Sequence, residues 1–261
     1  SLQVLNADKE LVLFPILSAI VSFFAMIFVF GAGGLIVWLV PPLRAGLESV
    51  TSGAGDGSPI TYVIGAIILF LFYLVGSFIT SFFTSGLVGA ALMRLRGGDP
   101  TFNEGMRIAG SHFGAILGYA AIQATVGVII NMLRGNGRQR GVGRNLVAGA
   151  AQTAWNIATF LAIPYLIDKG DGPIAAIKSS TAALKRTFGE QIVGSAGVGL
   201  VFALPIILVI IAGVAGAVLL AVKDQIVLML IVIVLAVLLL AVLGILSSAL
   251  NGIYRSAVYL Y

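Results

Sequence analysis

The chain has 261 residues, 59% of them hydrophobic and only 10% charged, with a mean hydropathy of +1.11 and a formal net charge of +5. A soluble domain carries about 25% charged residues, so that class is excluded. The absence of cysteine removes disulfides, iron–sulfur clusters, thiolate metal sites and thiol catalysis together.

All 15 Lys and Arg and all 10 Asp and Glu fall outside six stretches: Leu11–Leu43, Gly57–Met93, Ile108–Leu133, Asn145–Ile167, Gln191–Val222 and Gln225–Tyr254. Each is long enough to cross a hydrocarbon core of about 30 Å as a helix. A run such as Ile206–Val222 is apolar on every face, unlike the alternating segments of a transmembrane barrel. The expected fold is therefore all-α: a polytopic membrane protein forming one membrane domain over residues 1–261. Its six hydrophobic helices form three hairpins, at 11–93, 101–167 and 173–254, with short interfacial amphipathic helices leading into them. The first apolar stretch is too long to be the core of a cleavable signal peptide.

In chain order, Leu2–Leu13 alternates apolar residues with Asn6, Asp8, Lys9 and Glu10, and forms the first amphipathic lead-in. Pro41 and Pro42 stop the first span, and the Gly- and Ser-rich Thr51–Ser58 reads as a solvated external loop. After Asp99 and Pro100, Thr101 and Glu104 have the spacing of a capping box, which starts a helix. Asp171, Gly172 and Pro173 open the third lead-in, where Ile174, Ile177, Leu184 and Phe188 recur at helical spacing away from Lys178, Lys185 and Arg186. Such a helix is expected to lie in the headgroup plane. The likeness of Gly98-Asp99-Pro100 to Gly170-Asp171-Gly172-Pro173 hints at an internal repeat. Pro205 predicts a kink within the fifth run, and Lys223-Asp224 a tight turn after it. Trp38, Tyr62, Tyr165, Tyr254, Tyr259 and Tyr261 suit headgroup anchoring.

With cytoplasmic termini, that side collects Lys9, Arg94, Arg96, Arg107, Lys169, Lys178, Lys185, Arg186 and Arg255. The other side collects Arg44, Arg134, Arg138, Arg140, Arg144 and Lys223. The balance favours cytoplasmic termini.

None of the six runs contains an ionisable Asp, Glu, Lys or Arg, which argues against carboxylate-based proton coupling and against intramembrane proteolysis by paired aspartates. The Gly-rich stretch Gly135–Gly143 lacks the Gly-Lys-Ser/Thr ending of a phosphate-cradling loop. No catalytic, cofactor or metal site is expected. His112, the sole histidine, could ligate a macrocyclic pigment or sense pH, but it reads better as a hydrogen-bonded residue between helices, since one imidazole supplies one ligand.

Polarity inside the runs gathers in the third and fourth. His112 and Gln123 lie nearly on one helix face, with Asn131 less than a quarter turn from Gln123; Gln152, Asn156 and Thr159 share a face of the next helix. His112, Gln123, Asn131, Gln152 and Asn156 are thus a candidate polar path, or else hydrogen bonds that hold the hairpin together. Gly110, Gly114 and Gly118 form small-xxx-small steps for helix packing, and Ser77, Thr80, Ser81, Thr84 and Ser85 cluster near Gly76, Gly86 and Gly89; both patterns permit close backbone approach, within the subunit or between subunits. Arg134, Arg138, Arg140 and Arg144 are candidate contacts for anionic lipid or an acidic partner, or mark a hairpin that only half penetrates. Without interleaved aromatics that short loop does not suit nucleic acid.

The segment Leu5-Asn6-Ala7-Asp8-Lys9-Glu10-Leu11-Val12-Leu13-Phe14-Pro15-Ile16-Leu17-Ser18, the block from Ala154-Trp155 to Pro164, the segment from Gly172-Pro173 to Ser179 with Arg186-Thr187-Phe188-Gly189-Glu190, and the closing Tyr254-Arg255 together carry a likeness over nearly the whole chain. They resemble a family of prokaryotic multi-span membrane proteins known only as a domain of unknown function. The resemblance implies six helices and transfers no catalytic residue or substrate. In layout, Trp155, Pro164, Leu184-Lys185-Arg186 and Pro205 are also similar to the sulfate permeases with half-penetrating helices, an analogy that carries no function by itself.

The function expected from the residues is non-enzymatic: a structural, accessory or self-assembling subunit of a membrane complex, with membrane lipids and either further copies or other membrane subunits as partners. The alternative is a passive channel or permease for a small solute or lipid.

Overall fold

The computed structural model describes residues 9–41, 44, 59–134, 142–186 and 190–260. Within them the chain is helical and has no strand. A 3-10 turn, Lys9–Val12, leads into α1 (Leu13–Leu39), which ends at Val40, just before Pro41 and Pro42. The long helix α2 (Pro59–Leu95) follows. It closes on Gly97, whose φ of +88° is open to glycine without strain, while the Gly98 N–H reaches the Met93 carbonyl at 3.0 Å.

Thr101 caps α3 (Phe102–Ser111) through the expected box: Glu104 N–H donates to Thr101 Oγ1, and Thr101 N–H donates to Glu104 Oε2 at 2.9 Å. The third apolar run is therefore two helices, because the chain breaks at His112 before α4 (Phe113–Arg134). The fourth run is also divided. Helix α5 (Val142–Ala158) stops in a turn at 159–161, and α6 (Ala162–Asp168) restarts. Pro164 has no N–H to offer the Phe160 carbonyl, so an unbroken helix is disfavoured here. The freed Leu161 N–H donates instead to the buried Ser180 Oγ, at 3.0 Å, on α7 (Pro173–Arg186).

Two long helices finish the chain. Helix α8 (Glu190–Val222) holds Pro205, and α9 (Ile226–Leu260) follows a turn at Lys223 and Asp224, the latter at φ +53°. The expected tight turn is present. Phe188, Leu2–Asp8, Thr51–Ser58 and Tyr261 lie outside the described residues.

Among the described residues, six helical stretches are long and apolar enough to cross a membrane: Glu10–Leu39, Gly65–Leu95, Phe113–Arg134, Gly143–Asp168 with its turn at 159–161, Val201–Val222 and Ile226–Leu260. Helix α2 is the centre of the assembly, packed against α1, α3, α4, α6 and the C-terminal part of α9. Its close approaches use glycine. The Phe14 ring lies between Gly86 of α2 and Gly105 of α3, Gly89 meets Ile108, Gly127 of α4 meets Tyr73, and Gly252 of α9 meets Leu87. Around these contacts Phe14, Leu87, Val88, Ile116, Leu166 and Ile253 are buried.

The same end of the molecule carries the ordered charges. Arg96 grips Asp168 through two nitrogens, at 2.7 and 2.9 Å, and Tyr259 OH donates to the same carboxylate at 2.9 Å. That carboxylate holds the Arg96 guanidinium above its usual range. Glu10 accepts from the Phe102 N–H at 3.0 Å, so the first and second lead-ins meet there. Tyr165 and Tyr259, expected as lipid anchors, pack edge to face on each other with centroids 4.9 Å apart.

Helix α8 is different in kind. It packs mainly on α9, where Gly213 approaches Ala236 and Gly216 approaches Val232. Of its described side chains, from Val201 to Val222, none is buried, with Val222 at 79% and Val201 at 69% exposure. So large an apolar surface is compatible with lipid and not with water.

Helix α7 is seated by small residues as well as by Leu184. Its buried stripe is Ala176, Ser180 and Leu184, spaced four apart, while Ile174 is exposed. Small residues occupy the contact because α7 must come close enough to α6 for Ser180 to reach Leu161.

Candidate functional site

Residues of α1, α2, α4, α5, α6, α7 and α9 line a partly open cavity of about 780 Å³. Helix α2 contributes Ser77, Thr80, Ser81 and Thr84, whose spacing of three, four and seven puts four hydroxyls on one face. Helix α4 contributes Tyr119 and Gln123, one turn apart, and α5 with its terminal turn contributes Thr153, Asn156, Thr159 and Phe160. Met26 of α1, with Phe72, Ile157, Ile163 and Leu184, gives the cavity an apolar side. Arg255 of α9 completes the wall.

The polar lining is partly preorganised. Gln123 Nε2 donates to the buried Ser81 Oγ at 3.5 Å, and Gln152 Nε2 donates to Asn156 Oδ1 at 2.9 Å, which orients the Asn156 amide. Thr159 Oγ1 and Thr153 Oγ1 donate to carbonyls one turn back, at 2.8 and 2.9 Å, leaving lone pairs available as acceptors. A second, smaller cavity of about 360 Å³ lies between α1, α2 and α9, and Ser22, Thr80 and Thr84 border both.

The five residues expected along a polar path are divided by the fold. Gln123 and Asn156 line the large cavity, and Gln152 supports Asn156 from outside it. Asn131 lies two turns further along α4 and is not part of the wall. His112 sits at the α3–α4 break, its Nδ1 2.9 Å from the Ile108 carbonyl oxygen.

Of the small residues named for packing, Gly118 meets Pro173, whereas Gly110 and Gly114 have open space where a side chain would be. Within the chain, close packing falls to Gly86 and Gly89, as expected of the second helix, and to Gly105, Gly127 and Gly252. The hydroxyl cluster of α2, expected to pack, faces the cavity with four of its members; Ser85 is the exception, buried with its hydroxyl unpartnered. In the arginine loop, Arg134 and Arg144 are exposed at the helix ends, while Arg138 and Arg140 lie outside the described residues.

The residue that sequence reasoning misplaced is Arg255. Counted there among the charges beyond the last apolar run, it belongs to the interior of α9, which continues to Leu260. Ala249, Leu250, Gly252, Ile253 and Ser256 are buried on either side of it. Its guanidinium stands 5.1 Å over the Phe160 ring, and its buried Nε has no hydrogen-bond partner. No carboxylate is among the residues that line the cavity. The signal available in the sequence was the run of small residues around it, Gly252, Ser256 and Ala257, which marks a helix still packed against neighbours after strong hydropathy has ended.

Comparison with curated proteins found no match, and comparison with solved structures found none either. Residues 63–261, the part of the chain that builds α3 to α9, most of α2 and nearly all of the cavity wall, match one family description, and the chain belongs to that family: Family of unknown function (DUF6159).

Proposed function

We propose that this multi-pass membrane protein is a non-catalytic permease or carrier that holds a small solute or lipid in the cavity between α2, α4 and α5. The observation that carries the reading is the cavity itself. About 780 Å³ falls within the range of small-molecule sites, and its wall combines an apolar side with a few convergent hydroxyls and amides. A hairpin held together by polar residues alone would turn Gln123 and Asn156 on each other and leave no such space. Ser22, Thr80 and Thr84, which border both cavities, supply a hydroxyl step from one to the next. The wall has no carboxylate, histidine or cysteine with which to activate a nucleophile, which favours binding over chemistry.

On this reading the chain sits in a prokaryotic cytoplasmic membrane with the charged end, and both termini, on the cytoplasmic side. Anionic lipids meet Arg134 and Arg144 at the opposite ends of α4 and α5. The test is solute and lipid flux in proteoliposomes containing the full chain. Flux above that of empty vesicles, abolished in the Gln123→Leu/Asn156→Leu variant with its melting temperature unchanged, supports a permease. Equal leakage from protein-containing and empty vesicles, across a panel of neutral and charged solutes and fluorescent lipids, rejects it.

A structural role as a self-assembling subunit is favoured by a different observation, the open space at Gly110 and Gly114 next to the α3–α4 break, which would admit a second helix. Gly110→Leu and Gly114→Leu would then shift the detergent-solubilised chain to a smaller species on size-exclusion chromatography with light scattering. An unchanged mass removes that support.

A further inference from the structure

Taking the cavity as a binding site, we infer that Arg255 makes it selective for an oxyanion carried on an apolar body, a carboxylate or phosphate ester with a hydrocarbon part. A guanidinium away from water is expensive unless it is paired. Arg255 has no carboxylate partner among the described residues, and its Nε donates to nothing. Lying over the Phe160 ring compensates only in part, since a cation–π contact leaves the edge of the guanidinium with its N–H groups free. The wall it faces is built of neutral groups: Tyr119, Gln123, Asn156 and Thr159. Tyr119, Gln123 and Asn156 can donate to the remaining oxygens of an anion whose charge Arg255 neutralises, while the Thr159 hydroxyl proton stays on the Trp155 carbonyl. The planar fork of arginine matches two oxygens of one carboxylate or phosphate, a geometry that a neutral ligand cannot use.

The apolar half of the inference has its own basis. Met26, Phe72, Ile163 and Leu184 line the same space, and α1 and α2 carry further apolar side chains exposed on their outer faces. A ligand with its oxyanion at Arg255 would set a hydrocarbon part against these apolar residues.

The experiment is equilibrium binding of labelled decanoate and of labelled decanol to the full chain in a neutral detergent, with inorganic phosphate as competitor. The variants are Arg255→Gln, Arg255→Lys and Ser77→Trp, the last filling the cavity without touching Arg255. Expected is saturable decanoate binding that falls about ten- to a hundredfold in Arg255→Gln, is partly kept in Arg255→Lys, is lost in Ser77→Trp and is not displaced by phosphate. Decanol should bind more weakly and ignore the Arg255 variants.

If decanol binds the unmodified chain as tightly as decanoate, and both are lost only in Ser77→Trp, the role of Arg255 is overturned while the cavity stands as a binding site. If neither binds, and flux in vesicles is absent as well, both readings fail together. Displacement of decanoate by an equal concentration of phosphate overturns the apolar half and makes the ligand a free water-soluble anion. The comparison of decanoate with decanol on the unmodified chain needs no variant to fold.

Discussion

The two ends of this bundle are stabilised by different partners. At the charged end, α2 is enclosed by α1, α3, α4, α6 and α9, and the helices touch through glycine, buried aromatics and a shared carboxylate. In the α8–α9 arm the same chain is more apolar, yet no described side chain of α8 is buried. Hydropathy therefore reports where lipid can be, and small or polar residues report where another helix is. Lipid tails are as apolar as leucine, so apolar character alone supplies little drive for helices to associate inside a membrane.

That contrast can be broken most strongly at Phe14. Its ring is 1% exposed between two glycines, so Phe14→Ala should cost about 3–5 kcal/mol, whereas Phe28→Ala, at a side chain 75% exposed, should leave stability nearly unchanged. Reversible unfolding of the detergent-solubilised chain measures both. Equal losses at the two sites would mean that the charged end is no better packed than the lipid-facing surface.

Next in size is Gly105→Ala. A methyl group there would meet the Phe14 ring on one side and the Gly86 carbonyl oxygen at 2.8 Å on the other, where backbone cannot yield cheaply. A loss of about 1–3 kcal/mol is expected. Gly244→Ala, in the arm and with open space around it, should be neutral or slightly stabilising.

Ser180→Ala leaves the Leu161 N–H unpartnered at the α5–α6 break, for a loss of about 1–2 kcal/mol and faster amide exchange at Leu161. Protection equal to that of the parent chain would show that Ser180 does not hold the break. The smallest effect is expected from Asp168→Asn. It weakens the tie to half-exposed Arg96 and changes the acceptor for Tyr259, for about 1 kcal/mol that shrinks as salt is added. A salt-independent loss would place the interaction in a drier setting than its exposure implies.

Much of this architecture was legible from residue order. The spacing of charges located the six spans, Pro41-Pro42 and Lys223-Asp224 marked their ends, and Thr101 with Glu104 specified the capping box that starts α3. The divisions at His112 and at 159–161 were not legible, because both occur inside uninterrupted apolar stretches. Pro164 was visible, but whether the helix kinks or ends there depends on a partner for the Leu161 N–H left over by the turn at 159–161, here Ser180, 19 residues further on. Of the cavity wall, Gln123, Asn156 and Thr159 were legible as polar faces of their helices, with Gln152 beside Asn156. Arg255 was assigned to the surface because its run of hydropathy had already ended.

What residue order alone determined was the solvent. An excess of apolar side chains and a strict exclusion of charge from six long stretches leave a helical, lipid-embedded chain as the physically allowed state, since unpaired backbone groups cannot be left in hydrocarbon. What only the tertiary structure decided was which polar groups meet. Side chains far apart in sequence, from Ser77 to Arg255, share one cavity because glycine-mediated contacts bring α2, α4 and α9 together. Hydropathy is a property of each segment by itself, and the surroundings of a charge are a property of the whole fold.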